Sequence, residues 1–209
     1  MDAMPPTRYQ PSDYYRDVAS TLAVHLADVE ARRTLRPSSP DGPATYLTTP
    51  DRLVAVHLTP GDGADSATAA TAALQLAEQC AADALAPVPL TDADGGLWIL
   101  ARTTGDAVAA ATRYAGQLTA TAPELATDDP AAADGRCLVT VPAPGQGIVP
   151  VPYTLLIGRT GWAAAIPLHL DEIAAIAAGM PAEFDPADVG GRIAARGDLA
   201  AALLAPTPG

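Results

Sequence analysis

The sequence contains no lysine and no asparagine, and arginine supplies all 12 of its basic side chains. Against these stand 24 acidic residues, so the chain of 209 residues carries a formal net charge of −12. Binding to a phosphate polyanion depends on cations that displace its counterions, and this charge balance opposes it. We therefore expect weak DNA or RNA binding, or none.

Cysteine is scarce, and its spacing argues against two classes of site. Cys80 and Cys137 form no C-x-x-C pair and have no histidine at ligand spacing. This pattern indicates neither a disulfide framework nor a zinc knuckle. We expect two reduced, buried thiols.

Long apolar runs are also absent, although hydrophobic residues make up 49% of the chain. No run approaches the roughly 20 residues that cross a bilayer, and the first residues show no basic segment followed by an apolar one. We therefore expect a cytoplasmic protein that does not interact with membranes.

Alanine is abundant, at 47 of 209 residues, whereas phenylalanine occurs once, at Phe184. A chain of this length can bury about 70% of its unfolded surface without a disulfide or a metal. We predict a single domain over 1–209 whose core, over 50–204, is built largely from small side chains.

Hydrophobic periodicity predicts both helices and strands. Helical spacing after Ser12 predicts an N-terminal helix over 12–31, and the apolar run 53–58, closed by Pro60-Gly61, predicts a buried strand. The same reasoning predicts helices over 66–85, 106–122, 170–178 and 198–204, and strands over 97–101, 136–141 and 149–157. Because the later strands do not alternate strictly with helices, we predict an α+β fold with a mixed sheet.

Segments spread over nearly the whole chain occur in the order and near-spacing of one known family. They are Asp13-Tyr14-Tyr15-Arg16-Asp17-Val18-Ala19, Pro40-Asp41-Gly42, Ala122-Pro123-Glu124-Leu125-Ala126-Thr127, Asp134-Gly135-Arg136-Cys137-Leu138-Val139, Pro152-Tyr153-Thr154-Leu155, Ile166-Pro167-Leu168-His169-Leu170-Asp171-Glu172-Ile173, Phe184-Asp185-Pro186-Ala187-Asp188 and Arg196-Gly197-Asp198-Leu199. Together they resemble the primase-polymerase domain of bacterial end-joining ligase D, in the archaeo-eukaryotic primase superfamily. The resemblance implies a primase-like mixed β-sheet flanked by helices, here reduced in size.

The positions that match the metal-binding carboxylates of that family are not acidic. The resemblance implies two metal ions held by three carboxylates, because the attacking oxygen and the departing pyrophosphate both need neutralising. Two of the carboxylates would come from alternate residues of one strand, where this chain has His57 and Thr59. The third position aligns with Thr140. We therefore predict no catalytic residue, no bound metal and no cofactor.

The triphosphate-binding positions of the family are changed as well. Where the family has a Gly-Lys-Gly-Leu-His stretch, this chain has Asp94-Gly95-Gly96-Leu97-Trp98. The family arginine that follows a Tyr-Ser dipeptide falls on Leu156. Between Gly42 and Leu53 only a short connection replaces a long family insertion that includes a DNA-end-binding loop.

Residues at these degenerate positions have ordinary structural interpretations. We expect His57 to be hydrogen-bonded by a neighbour on a sheet face, with a metal-ligand or acid/base role as the alternative. Thr59 and Thr140 are interpreted as strand residues. Trp98 is expected to pack in the core, although it could instead fill the former nucleotide pocket.

The leading functional hypothesis is a catalytically inactive primase-polymerase-like protein that binds a protein partner. The resemblance suggests a DNA-repair polymerase, a ligase or an end-binding protein as that partner. One alternative is an active nucleotidyltransferase whose carboxylates have moved to Asp62, Asp65, Asp92 or Asp94. Another is a DNA-binding pseudoenzyme that contacts phosphates through Arg32, Arg33 and Arg36. The structural interpretation of these three arginines is that they end a helix and complement its dipole.

Overall fold

A five-stranded mixed sheet lies at the centre of the protein. The computed structural model describes residues 10–28, 32–34, 45–48, 52–145, 148–158, 161–182 and 184–204. The sheet strands are β3 (Leu53–Pro60), β4 (Val88–Thr91), β5 (Leu97–Arg102), β6 (Ala126–Thr127) and β7 (Cys137–Thr140), in the order β4-β5-β3-β7-β6. Strand β3 pairs antiparallel with both β5 and β7, and β6 pairs parallel with β7.

The central strand β3 is buried along most of its length. Within the run 53–58, every residue is buried except His57, which is partly buried. A continuous apolar run is what a strand with neighbours on both edges and cover on both faces requires. The break in that run at His57 therefore marks a position with a different role.

Two alanine-rich helices pack against the sheet, α2 (Ser66–Ala82) and α3 (Ala107–Thr121). Both begin at an aspartate: Asp65 accepts a hydrogen bond from Thr68 N, and Asp106 accepts one from Ala109 N. The inner face of α2 consists of small side chains with Leu76 and Cys80, which lets its backbone approach the strands closely.

Two small sheets and the N-terminal helix lie outside the central sheet. Helix α1 spans Pro11–Asp28; β1 (Arg32–Thr34), β2 (Thr45–Thr48) and β8 (Val149–Pro150) form one sheet in the order β1-β2-β8. Strands β9 (Leu155–Gly158) and β10 (Gly161–Ala164) form an antiparallel pair. The remaining helices are α4 (Leu170–Ala177) and α5 (Val189–Arg196), with short 3-10 turns at Pro130–Ala132, Pro186–Asp188 and Ala201–Leu203.

Thr154 joins α1 to these small sheets. It is fully buried, and its hydroxyl accepts a 2.7 Å hydrogen bond from Tyr46 N. The hydroxyl of Tyr15 accepts a 3.0 Å hydrogen bond from Leu155 N and lies 3.5 Å from Thr154 Oγ1. Buried polar groups therefore find partners across three elements that are far apart in sequence.

A second polar network ties α1 to the last segment of the described chain. The His25 Nε2 atom lies 2.9 Å from Asp198 Oδ2, and the Tyr153 hydroxyl donates a 2.9 Å hydrogen bond to Asp198 Oδ1. The Tyr14 hydroxyl donates to the carbonyl of Tyr153, which has a φ of 66°. A left-handed backbone is costly for a tyrosine, so these surrounding contacts hold the turn in place.

Several predicted elements differ from the structure. The N-terminal helix is Pro11–Asp28, and Arg32 and Arg33 lie on strand β1, so their interpretation as a helix end is wrong. The strand predicted over 149–157 is two strands in different sheets, separated by a turn at Pro152 and Tyr153. The helix predicted over 198–204 is only the 3-10 turn Ala201–Leu203.

Other elements went unpredicted. Strands β2, β4 and β10 are short, and the pattern did not reveal them. Helix α5 was missed because Gly190 and Gly191 disfavour a helix locally. Within the described ranges, no helix is both long and apolar enough to cross a membrane.

Candidate functional site

The register of the central sheet brings four of the predicted site positions together. His57 of β3 lies opposite Trp98 of β5 on one side and opposite Thr140 of β7 on the other. Directly opposed residues of antiparallel strands point to the same face, and Thr59, two residues beyond His57, shares that face. The sheet therefore presents an imidazole, an indole and two hydroxyls together.

The His57 side chain is held on three sides. Its Nε2 atom lies 2.8 Å from Asp92 Oδ2, and its Nδ1 atom lies 3.4 Å from the hydroxyl of Thr59. The imidazole stacks on the Trp98 ring, with the ring centroids 4.2 Å apart and the ring planes 7° from parallel. These contacts fix the plane of the imidazole and leave neither nitrogen without a neighbour.

Asp92 is itself anchored in the loop between β4 and β5. Its Oδ1 atom accepts a 2.8 Å hydrogen bond from Ala93 N, and its backbone N–H donates to the carbonyl of Gly96 at 3.0 Å. Burial alone would raise the pKa of the Asp92 carboxyl. The hydrogen bond and the charge of His57 outweigh that effect, so the pKa of Asp92 lies below its usual value.

This donor set does not fit the two metal ions that the family resemblance implies. The matching positions on β3 and β7 offer one imidazole and two hydroxyls, and the imidazole is already engaged with Asp92. Hard divalent cations such as Mg²⁺ are bound mainly by carboxylate oxygens, which His57, Thr59 and Thr140 do not supply. Across the part of the chain that the structure describes, no three His, Cys, Asp or Glu side chains are grouped to hold a metal ion.

A cleft of about 940 Å³ is lined by the loop after β3 and the loop between β4 and β5, and it includes Asp92, the hydrogen-bond partner of His57. Its lining includes all four of the aspartates that the sequence offered as relocated carboxylates, namely Asp62, Asp65, Asp92 and Asp94. The loop after β3 is fixed at Gly61, where a Cβ would collide with the carbonyl oxygen of Ala133. Gly61 N also donates a 2.9 Å hydrogen bond to the carbonyl of Arg136.

Two of these aspartates already have defined structural partners. Asp65 caps α2 through the backbone N–H and the hydroxyl of Thr68, both at 3.0 Å, and these hydrogen bonds lower the pKa of Asp65. Asp92 holds His57. The sequence suggested these residues only as neighbouring loop acids, whereas the pairing of Asp92 with His57 was not predicted.

The remaining predicted positions lie elsewhere in the fold. Leu156 is buried in β9, opposite Ala163 of β10, so an apolar contact occupies the position matched to the family arginine. Arg32 and Arg33 pair with Leu47 and Tyr46 in the β1-β2-β8 sheet, and Arg36 lies outside the described residues. Half of the connection between Gly42 and Leu53 also lies outside them, and its described part includes β2.

Structural comparison finds a match to the solved polymerase domain of ligase D from Mycobacterium tuberculosis in complex with DNA. The two chains share 25% sequence identity with a TM-score of 0.66, over 86% of this chain and 63% of that one. No protein-family model and no curated protein matches the sequence. The predicted resemblance and fold class are thus confirmed: the chain has a ligase D polymerase-like fold, and it spans less than two thirds of the length of the matched chain.

Proposed function

We propose that this protein is a catalytically inactive, primase-polymerase-like binding module. The observation that carries the proposal is the side-chain set on β3 and β7, where His57, Thr59 and Thr140 supply no carboxylate for a divalent cation. Nucleotidyl transfer in this fold needs anionic ligands at those positions, because metal ions must neutralise the attacking and leaving oxygens.

We further propose that the partner is a protein rather than a nucleic acid. The net charge of −12 repels a phosphate backbone and attracts a basic protein surface. Similarity to a ligase D polymerase domain suggests DNA end joining or repair as the process. A repair polymerase, a ligase or a DNA-end-binding protein is then the proposed partner, in the cytoplasm, where reduced cysteines are expected.

Primer extension tests the catalytic part of this proposal. The purified chain is given Mn²⁺, all four nucleotides and either a gapped or an end-joined template. We expect no extension and no thermal shift from nucleotide with metal. Extension that rises in proportion to enzyme concentration would contradict the proposal.

A second candidate function has one observation in its favour. The aspartates at positions 62, 65, 92 and 94 all line one cleft, and relocated carboxylates would need such a placement. An active nucleotidyltransferase built on them would lose extension when Asp62→Asn and Asp94→Asn are combined. The exposed pair Glu124→Gln and Asp128→Asn changes the net charge equally and serves as the control.

A further inference from the structure

The contacts of His57 link a carboxylate to a hydroxyl. Asp92 Oδ2 lies 2.8 Å from His57 Nε2, and the hydroxyl of Thr59 lies 3.4 Å from His57 Nδ1. An acid, an imidazole and a hydroxyl in this order form the arrangement by which many folds activate a nucleophile. We call these three side chains, Asp92, His57 and Thr59, the triad.

The carboxylate of Asp92 decides which nitrogen of His57 carries the proton. Since the pKa of Asp92 lies below its usual value, the carboxyl is ionised near neutral pH and only accepts hydrogen bonds. The neutral imidazole therefore donates from Nε2, and its Nδ1 keeps a lone pair on the side of the Thr59 hydroxyl. The proton of that hydroxyl thus has an acceptor beside it.

Two neighbours hold the triad in place. Trp98 stacks on the imidazole with the ring centroids 4.2 Å apart, and the face of an indole favours the imidazolium that forms when the imidazole takes up a proton. A Cβ at Gly96 would lie 2.6 Å from the carbonyl oxygen of Leu58 and 3.5 Å from Asp92 Oδ2. The glycine therefore lets the loop between β4 and β5 bring its aspartate directly against β3.

The triad lies at an accessible edge of the central sheet. His57 and Thr59 are only partly buried, and Thr140, opposite His57 on β7, is exposed. Thr59 is followed by Pro60, which lines the cleft of about 940 Å³ together with Asp92. A small electrophile in that cleft would lie next to the strand that carries the hydroxyl.

The usual competing nucleophiles are missing or protected in this protein. The sequence contains no lysine. Burial raises the pKa of Cys80 to about 11 and that of Cys137 to about 12, so neither thiol is ionised near neutral pH. An electrophile that avoids these groups would report the reactivity of the triad with little background.

We propose that Thr59 is a modification site whose hydroxyl accepts an acyl group from a thioester or an activated ester. Thr59 Oγ1 attacks the carbonyl carbon, a C–O bond forms, and the bond to the thiol or alcohol breaks. The hydroxyl proton passes to His57 Nδ1 and then to the leaving group, while Asp92 stays ionised and stabilises the imidazolium. The product is a threonine ester. This step needs no divalent cation and goes beyond the proposed binding function, because it concerns a single modification of the chain itself.

The test treats the full folded chain with a biotinylated fluorophosphonate, which forms a stable phosphorus ester with activated hydroxyls, and locates the adduct by peptide mass spectrometry. We expect the adduct on Thr59. Thr59→Val keeps the shape of the side chain without the hydroxyl and should abolish the adduct, whereas Thr59→Ser should retain it. Thr112→Val removes an exposed hydroxyl on α3 and is the matched control, which should react like the wild type.

Three variants test the groups that activate the hydroxyl. His57→Gln should slow labelling on the order of a hundredfold, because it removes the base. Asp92→Asn should slow labelling on the order of tenfold or more, and Asp92→Glu, which keeps a carboxylate, should slow it less. Circular dichroism and urea denaturation of every variant identify any that fails to fold. The comparison of Thr59→Val with Thr59→Ser keeps the proposal testable if a variant at position 57 or 92 does not fold.

The acyl class is tested with p-nitrophenyl acetate. When the reaction is quenched in acid after release of the first equivalent of p-nitrophenolate, the wild type should carry an acetyl group on Thr59. An acetyl group that is absent from Thr59 would overturn the assignment of an acyl donor.

Three further results would overturn the modification site. They are no fluorophosphonate adduct on the folded wild type, equal labelling of the wild type and Thr59→Val, and equal labelling of Thr59 in the folded and the urea-unfolded chain. None of them would change the primer-extension outcome, so failure of the modification site is distinguishable from failure of the proposed function.

Discussion

Asp92 Oδ2 lies 2.8 Å from His57 Nε2, joining the loop after β4 to the middle of the central strand. The same imidazole is stacked on Trp98, so the only partly buried position in the run 53–58 of β3 is occupied by a fixed, acid-paired ring. The arrangement accounts for a histidine on this sheet face without a metal ion.

Removing the acid of this pair should destabilise the fold. We expect Asp92→Asn to lower the free energy of unfolding by about 1 kcal/mol, because both side chains are 21% exposed and solvent weakens the interaction. Urea denaturation measures the change, with the exposed Asp128→Asn as the control. A variant as stable as the control would show that the pair contributes nothing.

The stability difference should also depend on pH. Since the folded state lowers the pKa of Asp92, its contribution is present near neutral pH and is lost as the pH falls below the usual range of a carboxyl and through the folded pKa. Urea midpoints of the wild type and Asp92→Asn should therefore converge in acid. Urea midpoints of the two proteins that move further apart as the pH falls would contradict this account.

The network around Asp198 should contribute more to the free energy of unfolding than the pair of His57 and Asp92, because its histidine is less exposed. The His25 side chain is 3% exposed, and Asp198 also accepts a hydrogen bond from the Tyr153 hydroxyl. We expect Asp198→Ala to cost about 2–3 kcal/mol, since it leaves two buried groups without an acceptor, and Tyr153→Phe to cost about 1 kcal/mol. Equilibrium urea unfolding, monitored by tryptophan fluorescence, provides both values, and equal effects for the two variants would argue against the network.

Both thiols should be unreactive in the folded protein. Burial raises the pKa of Cys80 to about 11 and that of Cys137 to about 12, so neither forms the nucleophilic thiolate near neutral pH. Ellman's reagent should modify neither until urea unfolds the chain, and then both. Rapid modification of the native protein would show that the helix and strand positions assigned to them are wrong.

DNA binding is the remaining alternative from the sequence. We expect the chain to bind duplex or single-stranded DNA more weakly than about 10⁻⁴ M at physiological salt. Replacing Arg32 and Arg33 by alanine should change this little. Tight binding that falls steeply with salt and is lost in the double variant would contradict the proposed preference for a protein partner.

The sequence predicted those elements whose buried face is marked by an apolar pattern within the element itself. Strand β3 and helices α2 and α3 have apolar runs or stripes long enough to be recognised in the sequence. Helix α5 could not be predicted in this way. Helix α5 is stabilised by tertiary contacts, namely the salt bridge between Arg192 and Glu172 of α4 and the burial of Val189.

The candidate site was predictable in position but not in geometry. Apolar runs predicted the strands of the site, and the residues at 57, 59 and 140 showed that the family's metal-binding carboxylates are absent from them. The partner of His57 was not, because Asp92 is 35 residues away and reaches it only through the register of β4, β5 and β3. The convergence of four aspartates on one cleft likewise depends on how two loops meet, the loop after β3 and the loop between β4 and β5.

The most direct measurement of the central claim is Mn²⁺-dependent primer extension on a gapped template, run beside the ligase D polymerase domain from Mycobacterium tuberculosis. We predict extension by that domain and none by this chain at equal concentration, because His57, Thr59 and Thr140 supply no metal-binding carboxylate. Extension by this chain that is abolished by Asp62→Asn with Asp94→Asn, and retained by Glu124→Gln with Asp128→Asn, would contradict the account.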